Sequence, residues 1–210
     1  FDSAGVFNDV RRYGDIFSAD VNNPLKIAVY YKDFATIVVL DRFLNIRNTI
    51  DLRNTGIIQV GAVAQSYDNN YWIFDALENK LKKIDDNGKT LLQTPDFRLL
   101  FDEVIVPSAI IDEGGLLYMY SKNKGWLLFD YYGTYKKLVD MPGWGDVQAR
   151  NKVLYGRDSL FLYAYDTNDF SADKITLDKN IQGVKKLLQK QHRIYVLNNS
   201  GLSIYNVSSE

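Results

Sequence analysis

The chain has 210 residues, with 25 Lys and Arg against 26 Asp and Glu and a net charge of −1, so it carries no basic field to hold nucleic acid or an anionic membrane surface. Apolar residues make up 46% of it, enough to bury a sizeable core in a single domain over residues 1–210. The lack of Cys and the single histidine, His192, exclude disulfide scaffolds, thiolate metal sites, cysteine nucleophiles and three-histidine metal centres.

In chain order, residues 5–10 come first as a short β-like run, followed by an expected strand over 15–19. Two strands over 26–31 and 36–41 then flank the turn Lys32-Asp33-Phe34-Ala35. The pattern returns with strands over 59–64, 71–75 and 80–85, then 108–111, 116–120 and 125–130, and later over 159–163, 184–188, 193–197 and 202–206. Turn formers separate them, as in Asp68-Asn69-Asn70 and Glu113-Gly114-Gly115. A helix-like window over 77–83 has charges at helical spacing but no apolar stripe, and the repeat assigns it to a hairpin. No run reaches the roughly 18 apolar residues of a membrane-spanning helix. The chain begins at Phe1, not Met, which is compatible with removal of an upstream signal peptide or lipid anchor.

The residue closing the second long strand of each unit is Asp41, Asp85, Asp130, Asp166 or Asn206. These markers lie 44, 45, 36 and 40 residues apart, near the roughly 40–45 of a four-stranded propeller blade. Gly88 and Gly133 fall at one offset after Asp85 and Asp130, where a tight turn requires positive φ. The small residues Ala19, Gly61, Ala62, Ala64 and Ala109 suit crowded innermost strands. An all-β propeller of five four-stranded blades, closed by pairing of the N- and C-terminal strands, is the leading architecture. An open β-sandwich or β-solenoid remains the other.

Recognition in such a fold falls to loops, and links between units share one end of the blades with the middle hairpin turns. Four stretches stand out: 53–58, 95–107, 123–126 and 141–146. They supply the candidate partner-binding residues Arg53, Arg98, Asp102, Glu103, Trp126, Trp144 and Asp146, arginine and tryptophan being the types enriched at binding hot spots. Trp144 also suits a plug over a blade seam, with Phe97, Leu99 and Phe101 packing inward. The repeated acids read as turn carboxylates accepting backbone N–H groups. Residues 166–173 lack the glycine and place Phe170 where the helix-loop-helix calcium motif needs oxygen, and so read as a hairpin tip. His192 lies in a polar turn with no nucleophile elbow in the sequence to partner it. No catalytic residue, cofactor or metal is expected. A pair of loop carboxylates, Asp102 or Glu103 with Asp146, is the alternative, for a carbohydrate-active or lactone-cleaving enzyme.

The segments ending at residues 37–42 and 82–89 resemble the repeats of NHL and YVTN-type propellers, in which an apolar strand runs into Asp, a polar turn and Gly. The passage over 31–49 resembles a group of exported propeller-like proteins of Bacteroidota, linked to the cell envelope and to type 9 secretion as a plug-like subunit. The resemblance implies a non-catalytic, exported scaffold, periplasmic or outer-membrane-associated, whose loop face meets a protein partner, with an outer-membrane complex as one setting. Carbohydrate is a further ligand class that the many tyrosines would suit. The resemblance carries over no catalytic residue.

Overall fold

Apolar residues on both faces of a strand require a packed layer on each side, and the central strands here are of that kind. A computed structural model describes residues 5–101, 103–177 and 183–206. Its described residues form five consecutive antiparallel sheets, each with its strands in chain order. The first holds β1 (Ser18–Asp20), β2 (Ile27–Tyr31), β3 (Thr36–Leu40) and β4 (Ile46–Asp51); the second holds β5 (Val60–Gln65), β6 (Tyr71–Asp75), β7 (Lys80–Ile84) and β8 (Thr90–Gln93). The third holds β9 (Pro107–Glu113), β10 (Leu116–Ser121), β11 (Gly125–Phe129) and β12 (Tyr135–Val139). The fourth holds β13 (Gly145–Arg150), β14 (Val153–Arg157), β15 (Phe161–Asp166) and β16 (Ala172–Thr176), and the fifth holds β17 (Lys186–Lys190), β18 (Arg193–Asn198) and β19 (Gly201–Asn206). These are the five blades of an all-β propeller fold. The chain divides into two compact units, Phe1–Val139 and Asp140–Glu210.

In the first unit, alternation sorts apolar side chains between two interfaces. Tyr71 and Ile73 of β6 join Tyr30, Ile37 and Val39 of the first sheet in one buried cluster. Trp72 and Phe74 face the other way, into a second cluster with Leu117, Met119, Leu127 and Phe129 of the third sheet. The remaining face of the first sheet, Val29, Tyr31, Val38 and Leu40, is covered by Tyr13 and the half-buried Phe7. Close approach of the innermost strands requires small residues: a Cβ on Gly61 would lie 3.4 Å from the Pro107 carbonyl oxygen. The second unit has its own smaller cluster of Leu162, Leu187, Ile194 and Val196.

The turns after the third strands repeat one hydrogen-bond pattern. Asp41 Oδ1 accepts the N–H groups of Phe43 and Asn45 at 2.8 and 3.0 Å. Asp85 does the same with Asn87 and Lys89, at 2.8 and 2.9 Å, and Asp130 with Tyr132 and Thr134, at 3.0 and 2.9 Å. The residue three after each Asp is left-handed: Leu44, Gly88 and Gly133 at φ 65°, 81° and 76°. The acids are therefore turn carboxylates, and their register defines the repeat.

Three expectations need correction. Residues 5–10 form no strand; Val10–Tyr13 is a helical turn, α1, which delivers Tyr13 to the core. In the fourth sheet, β13 and β14 precede β15, so residues expected as a loop, Gly145 and Asp146, open an innermost strand. That strand is bulged: Gly145 pairs with Arg157, and pairing resumes at Gln148 with Tyr155, which hides it behind turn-forming residues. Gly125 and Trp126 open β11, as the expected strand over 125–130 has them, and do not belong to the loop stretch over 123–126. The fifth sheet has three described strands. Part of the expected pairing of the termini falls on residues 1–4 and 207–210, outside the described residues.

Two outcomes follow for the turns. Gly88 and Gly56 are both left-handed, but a Cβ on Gly88 would lie 2.5 Å from Thr55 Cγ2 while one on Gly56 meets nothing within 4 Å. Each change to Ala is expected to cost about 1–2 kcal/mol of backbone strain, and Gly88→Ala about 1 kcal/mol more from crowding, read from urea unfolding midpoints. Lys136 Nζ, 2.7 Å from Asp130, together with the turn N–H groups, holds the Asp130 carboxyl at about 2, below its ordinary 3.8. A depressed folded pKa adds stability above the unfolded value and loses it as pH falls toward the folded one. Asp130→Asn should therefore flatten the stability curve between the ordinary 3.8 and about 2; an equally steep curve would locate the acid sensitivity elsewhere.

Candidate interaction surface

Successive strands of an antiparallel sheet reverse direction, so the second turn and the link to the next sheet leave from one end. In the first unit the innermost strands are co-directional: the end of β1 meets the end of β5, Asp20 Oδ2 accepting the Gln65 N–H at 3.0 Å, while the start of β5, at Gly61, lies against Pro107 at the start of β9. The links and second turns of these three sheets consequently share one side of the unit, where Arg53, Arg98 and Glu103 lie.

The two links are built alike. Asp51-Leu52-Arg53 and Asp96-Phe97-Arg98 stand 45 residues apart, a single repeat. Leu52 and Phe97 are fully buried, and their N–H groups donate to Ala35 O at 3.0 Å and Asn79 O at 2.8 Å, tying each link to the second turn of its own sheet. Phe97 continues inward, stacking on Phe129 with ring centroids 5.5 Å apart. Each Asp caps the turn that follows, accepting the arginine's own N–H at 3.1 Å in one link and 2.9 Å in the other. The turns are 3-10 over Leu52–Thr55 and α-helical, α2, over Phe97–Leu100.

The same carboxylates grip the guanidinium groups, Arg53 Nε and Nη2 donating to Asp51 at 2.9 and 2.8 Å, and Arg98 pairing with Asp96 in the same bidentate way. The arginine hydrogen bonds lower both carboxyl pKa values, and the carboxylates raise those of the guanidiniums. The side chains stay about half exposed, at 49% and 53%. The same links and second turns carry exposed large apolar side chains: Leu99 is 82% exposed, and Phe34, Ile58, Leu77, Val104 and Val106 are exposed too. Glu103 pairs with Lys124, on the second turn of the third sheet. Asp102 lies outside the described residues.

The tryptophans belong elsewhere. Trp126 is completely buried, its ring edge-on to Tyr120 at 5.0 Å, because β11 lies between other strands. In the second unit Trp144 is 8% exposed and stacks on Tyr163, centroids 5.2 Å apart. Asp146, at φ 50°, is a buried junction between strands. Its Oδ2 accepts Arg157 Nε at 2.7 Å and the Leu187 N–H at 3.0 Å, while Lys186 Nζ lies 3.2 Å from Oδ1.

Sequence reasoning missed Asp112, at the end of β9. Its Oδ2 accepts Ser66 Oγ, the Tyr67 N–H and Trp72 Nε1 at 2.9, 3.3 and 3.2 Å, fastening the third sheet to the second. Burial raises its pKa against those hydrogen bonds and the nearby Lys83 charge. No residue pattern around Asp112 distinguishes it from a turn acid.

The placement of Trp144 has a direct check. A Cβ on Gly156 would lie 2.4 Å from Trp144 Cε3, so Gly156→Ala should displace the indole from Tyr163, change the near-UV circular dichroism and cost about 1–3 kcal/mol. An unchanged spectrum would refute the stacked position.

No protein-family model matches the chain, and no curated protein matches it. Among solved structures it is similar to virginiamycin B lyase from Staphylococcus aureus, at 12% identity over 91% of this chain and 70% of that one, TM-score 0.58. It is similar to the WD40 domain of Neurospora crassa Pan2, at 12% identity over 91% and 61%, TM-score 0.61. It is also similar to PorZ, a surface component of the type-IX secretion system of Porphyromonas gingivalis, at 12% identity over 92% and 31%, TM-score 0.50. Identities this low speak to fold alone, and the fold is the β-propeller.

Proposed function

We propose that this chain is a binding module of an exported, cell-envelope protein, and that it recognises a protein partner through the link side of its first unit. The observation that carries the reading is the setting of Arg98. Its guanidinium is held in one orientation by Asp96, beside Leu99, which is 82% exposed. An arginine fixed before binding loses little side-chain entropy on association, and an apolar cluster rimmed by polar groups marks interaction surfaces. The same construction recurs at Arg53, over the Phe34 ring at 5.8 Å. Export and the envelope setting are supported by the likeness in fold to a bacterial surface component and by the sequence resemblance over residues 31–49.

The reading is tested by affinity purification from the native envelope with tagged wild-type and variant proteins. Leu99→Glu and Arg98→Ala should each reduce recovery of the specific partner by about 30-fold, the weight of a hot-spot residue. Both positions are exposed, so unfolding midpoints should shift by no more than about 0.5 kcal/mol. Partner recovery at the wild-type level in both variants would overturn the assignment of this side.

A further inference from the structure

The link side of the first unit carries most of its charges already paired. The described residues of its links and second turns, 32–35, 51–59, 76–80, 94–101, 103–106 and 122–124, hold six basic and five acidic side chains. Four pairs are formed within it: Arg53 with Asp51, Arg98 with Asp96, Lys80 with Glu78, and Lys124 with Glu103. The two arginine pairs are more than chance surface contacts. Asp51 and Asp96 also accept the backbone N–H of their arginines, so neither carboxylate can leave without uncapping its turn. An incoming anion would have to compete with a carboxylate anchored two residues away, and on binding it would leave that carboxylate beside it as a like charge.

From this we infer that the partner segment seated on this side is uncharged and apolar, and that it is protein. The inference rests on the reading proposed above. The complementary surface for a side that is nearly charge-balanced and carries exposed aliphatic side chains is one that brings no net charge and covers Leu99, Ile58, Leu77, Val104 and Val106. Each guanidinium meets its Asp through Nε and Nη2, and Nη1 takes no part in those bonds. That donor suits a neutral acceptor, which a polypeptide supplies as backbone carbonyls and an acyl phase does not. Polyanions and anionic lipid surfaces gain their affinity from uncompensated cations and lose it steeply with salt. Association here should be nearly indifferent to salt, because little charge remains to be screened.

The test is selection of phage-displayed random peptides on the full chain, with counter-selection on an Ile58→Glu, Leu99→Glu variant whose circular dichroism matches wild type. Enriched peptides should be rich in apolar residues and free of net charge. Their affinity should change by less than about twofold between about 0.05 and 0.5 M sodium chloride, and Arg98→Ala should weaken it about 10-fold or more. Enrichment of acidic peptides, or a steep salt dependence, would overturn the inference while leaving protein binding at this side intact. Failure to select any peptide that distinguishes wild type from the variant would count against the binding side itself and against the inference with it. Co-sedimentation of the wild type, but not the variant, with phosphatidylcholine vesicles would replace the protein segment by a lipid surface.

Discussion

Burial of the central strands on both faces is the constraint from which the remaining features follow. In β6 the odd positions Tyr71 and Ile73 enter the cluster shared with the first sheet, and the even positions Trp72 and Phe74 enter the one shared with the third. A strand so placed has no side left for solvent or for a ligand, and each sheet becomes a spacer between its neighbours. The polar groups that must still be buried are paired in place: Lys82 meets Asp75 at 2.7 Å, and Lys83 meets Asp68 at 2.6 Å beneath the Tyr67 and Trp72 rings. Solvent-facing side chains of the first three sheets are thereby left to the turns, the links and the outermost strands, where backbone geometry and side-chain identity are less tightly coupled.

The features readable in the sequence were those that repeat because backbone geometry demands them. Asp41, Asp85 and Asp130 recur because a carboxylate accepts two N–H groups in the same turn, and Gly88 and Gly133 because that turn needs a left-handed residue. Leu44 occupies the equivalent place at φ 65°, so a search for glycine alone would have lost the first copy. The fourth sheet was misread for the opposite reason. Gly143-Trp144-Gly145-Asp146 has turn composition, yet Gly145 and Asp146 open a bulged strand. The glycine in β14, Gly156, makes room for the Trp144 ring and dilutes the strand signal. Trp126 fell both in the expected strand over 125–130 and in a loop stretch because Asn123-Lys124-Gly125 precedes it; the glycine, at φ 90°, ends a tight turn and the indole begins the core.

Candidate site residues divide along the same line. Arg53 and Arg98 were legible as arginines in the links between units, Arg98 in one longer than closure needs, but the bond that fixes them was not, since an Asp two residues earlier is common in any polar loop. What distinguishes these links is the pairing of that Asp with a buried residue between, Leu52 in one and Phe97 in the other. The apolar side chain pins the link to the second turn, the carboxylate caps the turn that follows, and the arginine is left lying along the surface. Asp140-Met141-Pro142 keeps the acid and the apolar residue at the next copy but replaces the arginine with a residue that has no donor.

That substitution separates positions that serve the fold from outward ones within one motif. In the two links of the first unit the acid and the apolar residue serve the fold, and both residue types recur at Asp140 and Met141; the third position is exposed in each copy and varies. A repeat protein acquires an asymmetric surface in this way without altering its core, because an outward position in one unit is energetically independent of its counterpart in the next. On the first unit the outward choices are two fixed arginines amid exposed aliphatic side chains, with every acid that anchors them supplied by the same links. If that surface is the binding side proposed above, it gains little from electrostatic steering and much from excluding water over Leu99, and its selectivity would come from shape and from carbonyl acceptors placed to meet the two guanidinium edges.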